Sequence, residues 1–172
     1  MAADEEVAEH VHHAQDPYDK AVAGTMAIIA ALLAVVSVLG QHFNTEKLLN
    51  QQLASDQWAY FQAKDIRRYV AQAADDELTG MKAPSAILQK YAQDASRYKS
   101  QSEHIQDKAN DYEKEVKKAG AQADRFHIGE VFLEVAIVLS SLAILLKRKP
   151  LFLTGVGSAF VGIVIAITAY WA

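Results

Sequence analysis

The residues whose types and spacing lend themselves to chemistry fall in three places along this 172-residue chain. Glu130 and Glu134 stand one helical turn apart at the entry to an apolar run, so their carboxyls lie on adjacent parts of one helix face. Acids inside a bilayer are costly, and where they are kept they serve as a cation, proton or partner-Arg site. The plainer reading sets Glu130 in the headgroup layer and Glu134 just below it, both favoured by a positive helix N-terminus. In the N-terminal tail, His10, His12 and His13 lie close to Glu9 and Asp16, and imidazole with carboxylate suits a transition metal. Their spacing is unspecific, and a flexible acidic tail whose charge responds to pH is the simpler account.

The third place is aromatic. On a wheel of 100° per residue, Trp58, Phe61 and Tyr69 lie within about 80° of one another. They fall opposite Tyr60, Ala63 and Val70, so one helix would carry two adhesive faces. Soluble surfaces rarely leave an aromatic patch bare, and a second copy of the chain is the simplest partner. No catalytic set accompanies these residues. Gly155 and Gly157 lie inside an apolar run rather than in a phosphate-cradling loop. No nucleophile, base and orienting acid are brought together, so neither an enzyme nor a cofactor is expected. The chain has no Cys, which excludes disulfides and thiolate metal sites.

The elements that must position these residues follow from how charge is distributed. Ala21–Gln41 and Leu151–Ala172 are uncharged, Val131–Leu146 carries no charge but Glu134, and strongly charged sequence separates the three. About 20 apolar residues of helix cross a hydrocarbon core of about 30 Å. The reading is therefore all-α, with transmembrane helices at 21–41, 128–146 and 151–172, the second reaching full length only with its two acids. The tail 1–20 has six acids against one base and is expected to be largely disordered. Residues 43–125 carry thirteen of each sign, which leaves no basic stripe for nucleic acid.

Residues 42–127 read as an extramembrane antiparallel coiled-coil hairpin. Its tip is set near 79–85, where Gly80 ends one helix and Pro84 opens the next. On the return arm two series repeat every seven residues: Leu88, Ala95, Ser102, Ala109, Val116, Ala123, and Tyr91, Tyr98, Ile105, Tyr112, Ala119, Phe126. A sustained repeat of this kind specifies a helix seam. The outgoing arm offers a looser stripe, Leu49, Leu53, Tyr60, Ala63, Val70, Ala74 and Leu78, expected to face the return arm. Small residues Ala23, Ala27, Ala30 and Ala34 in the first span, and Thr154, Ser158, Gly162 and Ala166 in the third, mark faces for close helix contact within or between chains.

Three strings resemble a family of small bacterial membrane proteins, the domain of unknown function 4337. They are the tail leading into Asp16-Pro17-Tyr18-Asp19-Lys20, the stretch Ala54–Lys64 containing Trp58, and Glu130–Leu139 before the basic linker. The resemblance assigns no role to any residue. It implies a bacterial inner-membrane protein. The basic linker 147–150 is expected on the cytoplasmic side with the N-terminus, and the hairpin on the other. The expected function is that of a homo-oligomeric scaffold in the lipid bilayer, with Trp58, Phe61, Tyr69, Thr154, Ser158 and Gly162 as interface candidates. The alternatives are an ion or proton conductor using Glu130 and Glu134, and an accessory subunit bound to another membrane protein.

Overall fold

In this computed structural model, residues 17–171 are described, and the proposed tail ligands His10, His12 and His13 lie outside them. All regular structure among the described residues is helical. Helix α1 runs over Pro17–Gly80, α2 over Ser85–Leu146 and α3 over Lys149–Thr168, followed by a 3-10 turn at Ala169–Trp171. Each of the three helices contains a stretch long and apolar enough to cross a membrane. Helix α1 opens on Pro17, where a missing N–H costs nothing, so Pro17–Lys20 of the expected disordered tail is helical.

The first helix ends at Gly80, but the left-handed residue that closes it falls two positions on. Lys82 takes the left-handed conformation, with φ 54°. The Ala83 N–H bonds the Leu78 carbonyl at 3.0 Å and the Lys82 N–H bonds Thr79 at 3.1 Å, which closes a Schellman end on a lysine. Pro84 then accepts the first bond of α2 from Ile87. Helix α2 ends in the same way on Lys147, φ 51°. Lys149 and Pro150 already belong to α3, so the basic linker shrinks to Lys147 and Arg148.

The chain forms two units. Among the described residues, the apolar unit comprises 17–44 and 120–171. Its core gathers Ile29 and Val36 from α1, Phe126, Leu133 and Ala136 from α2, and Ala159, Ala166 and Ala169 from the third segment. Helices α2 and α3 approach closely because glycines face each other. A Cβ at Gly162 would stand 2.7 Å from the Gly129 carbonyl oxygen, and one at Gly155 would stand 2.9 Å from Ser140 Oγ. The Ser158 hydroxyl donates to the Phe132 carbonyl at 2.8 Å. Ser158 and Gly162 are thus occupied within the chain rather than free for a second copy, and the Thr154 hydroxyl bonds carbonyls of its own helix. Arg125 Nη1 donates to the Thr168 carbonyl, satisfying an orphan acceptor at the end of α3. Large apolar side chains also cover the outside of this unit, among them Ile28, Val38, Val138, Leu145 and Phe160.

The hairpin unit, residues 45–119, has a different interior. Every return-arm residue of the two seven-residue series within it is buried or half-buried. The outgoing arm corrects the sequence expectation. Leu53, Ala74 and Leu78 of the expected stripe are half-buried, but Leu49, Tyr60, Ala63 and Val70 are exposed, and the arm turns Ala54, Gln57, Trp58, Phe61, Lys64, Arg68 and Ala71 inward as well. The physical reason is volume. A return seam of Ala95, Ser102 and Ala109 leaves room for long side chains, whose aliphatic stems cover it while their polar ends reach its rim. Lys64 Nζ donates to Gln101 Oε1 at 3.0 Å and lies 5.6 Å from the Tyr98 ring centre. Trp58 Nε1 donates to Glu113 at 2.8 Å, and the Phe61 ring meets the indole edge-on. Of the three aromatics expected on a spare face, only Tyr69 remains outside.

Candidate functional site

Helix α2 is unbroken through Gly129–Glu134, so no helix N-terminus lies there to favour the two acids. Each must be accounted for by its surroundings. Glu130 continues the return-arm series one step beyond Ala123 and is half-buried. Its Oε2 stands 3.2 Å from His127 Nδ1, one turn earlier on the same helix. The sequence reading missed that partner, although the three-residue spacing advertises it.

Glu134 is different. Its side chain is exposed, and it makes no hydrogen bond or ion pair among the described residues. Its depth follows from two independent rulers inside the apolar unit. Along α1, Asp19 pairs with Lys147 and Gly40 packs against Phe126 and His127. Both contacts have the same antiparallel register, which sets Glu134 level with Leu32, the middle of the uncharged run 21–41. Along α3, Gly129 meets Gly162 and Ala166, and Ser140 meets Gly155. This sets Glu134 level with Ala159 and Phe160. At 1.5 Å per residue it lies about 13 Å from one end of the apolar run of α3 and about 19 Å from the other. Glu134 thus stands midway along the apolar unit on its outer face, and not at a helix end.

The same face carries two further polar groups. His127, Val131, Glu134, Val138, Ser141 and Leu145 recur every three or four residues along α2, and all are exposed. Polar side chains therefore stand at seven-residue steps, His127, Glu134 and Ser141. Ser140 points the other way, fully buried against α3 with its Oγ unpaired.

The hairpin unit offers grooves rather than an enclosed site. One is lined by Lys47, Ser55, Trp58, Glu113 and Lys117, and Trp58 is held there by its bond to Glu113. A clearly perturbed titration lies nearby. Lys114 is raised by its hydrogen bond to Asp111 and then by that carboxylate's charge, but the pair is fully solvated. No three His, Asp or Glu side chains converge at metal-binding distance among the described residues.

No curated protein and no solved structure matches the chain. The domain of unknown function 4337 (DUF4337) matches residues 18–172, nearly the whole length, and the protein belongs to that family.

Proposed function

We propose that this protein is a non-enzymatic scaffold of the bacterial inner membrane, in which three spanning helices hold a coiled-coil hairpin outside the bilayer and copies associate with one another. A unit apolar on its outside as well as in its core suits a lipid solvent. The basic residues Lys147 and Arg148 favour the cytoplasmic side for that end of the unit, with the hairpin on the opposite side.

One observation carries the association. The outgoing arm leaves Ala59, Ala63, Ile66, Val70 and Ala73 exposed, an uninterrupted small and apolar stripe at heptad spacing. Ile66 is 62% and Val70 64% exposed. A charged hairpin in water gains nothing from such a stripe unless another helix covers it. On this reading the second adhesive face expected from the sequence is a different one, and it includes Ala63 and Val70, which the sequence assigned to the internal seam.

Mass measurement after purification in mild detergent tests this reading. A multiple of the 18.9 kDa chain is expected, falling towards one chain in the Ile66→Glu, Val70→Glu double variant. A strict monomer in the unaltered protein would sink it.

A further inference from the structure

We propose that the face of α2 bearing His127, Glu134 and Ser141 is buried within the membrane against the same face of a second copy, the two Glu134 carboxyls hydrogen-bonding to each other. This rests on the membrane reading above and adds a second contact between copies to the outgoing-arm stripe.

Lipid chains neither donate nor accept hydrogen bonds, so a polar group at mid-depth needs a protein partner. Elsewhere in the apolar unit Ser158 bonds the Phe132 carbonyl and Thr168 bonds Ile165, whereas the buried Ser140 Oγ has no partner among the described residues. Glu134 and the exposed Ser141 do neither. Three polar side chains at seven-residue steps, with Val131 and Val138 between them, form a seam rather than a scatter. β-Branched residues at one core position suit a parallel two-helix contact.

The levels identify the occupant. Two copies in one bilayer share orientation and depth, so parallel α2 helices bring His127, Glu134 and Ser141 each opposite its own counterpart. Successive polar layers are about 10.5 Å apart. The contact is isologous and closes on itself as a dimer. Helix α1 offers no such match, because at those three levels it presents Leu39, Leu32 and Thr25. Two carboxylic acid groups can satisfy each other through reciprocal O–H···O bonds without any further ligand.

The chain contains no Cys, so single introduced thiols report directly on this face. In native membranes, Val131→Cys, Val138→Cys and Ser141→Cys should each give a disulfide-linked dimer on oxidation. Phe160→Cys, on the exposed side of α3, should not. In the Val138→Cys background, Glu134→Gln should retain the dimer, since amides also pair. Glu134→Leu should lower the linked fraction about three- to tenfold. An unchanged fraction in Glu134→Leu overturns the carboxyl pair, and linkage through Phe160→Cys alone overturns the face. Alkaline washing of the same membranes separates this from the reading beneath it. A chain released by the wash refutes membrane insertion, whereas a retained chain with no α2-linked dimer refutes only this contact.

Discussion

The apolar unit and the hairpin solve helix contact in opposite ways. In the apolar unit the contact of α2 with α3 is made by removing side chains, so that Gly129 and Gly162 bring backbones within van der Waals range. In the hairpin it is made by adding them: Phe61, Lys64 and Arg68 fill the space above Ala95, Ser102 and Ala109. On the membrane reading proposed above, the difference follows from the surroundings. In lipid, burial of apolar surface gives no net drive and close packing must supply it. In water, long side chains bury their stems and keep their charges solvated.

The sharpest break of this contrast is Gly162→Leu. Its Cβ would meet the Gly129 carbonyl at 2.7 Å and Phe132 Cβ at 2.9 Å, and backbone cannot yield as a side chain can. A loss of about 3 kcal/mol is expected, read as early thermal unfolding in detergent. Gly157→Leu, with nothing within 4 Å of its Cβ, should behave as the unaltered protein. Equal losses at both positions would refute the close-approach account.

In the hairpin, truncation should separate the true seam from the apparent one. Phe61→Ala is expected to cost about 2 kcal/mol and Tyr60→Ala, half-exposed on the outer side, less than about 1 kcal/mol. Helical signal followed through thermal melting would rank them, and the reverse order would restore the seam drawn from the sequence.

That reversal shows what was legible. The return arm could be read because small residues and tyrosines repeat every seven positions and admit one buried face. The outgoing arm could not, because its buried positions include Gln57, Lys64 and Arg68, which a hydropathy pattern assigns to solvent. Glu130 and Glu134 were visible as residues but not as depths. Depth comes from cross-helix register, such as Gly129 against Gly162, and no single-helix pattern contains it.

The smallest expected effect compares the two helix ends, which share a backbone. Lys82 at the hairpin tip and Lys147 beyond α2 both occupy the left-handed region that glycine adopts without strain. Lys82→Gly should therefore stabilise the hairpin by about 0.5–1 kcal/mol, since no polar contact of its side chain is lost. Lys147→Gly gains the same backbone relief but removes the ammonium that bonds Asp19 at 2.5 Å, a carboxylate only 19% exposed. A charge-assisted bond at a half-buried site is worth at least as much as the strain, so Lys147→Gly should show no gain. Thermal midpoints of the two variants measured side by side decide it. A matching rise in both would mean that the Asp19 pair contributes nothing to holding α1 against the α2–α3 turn.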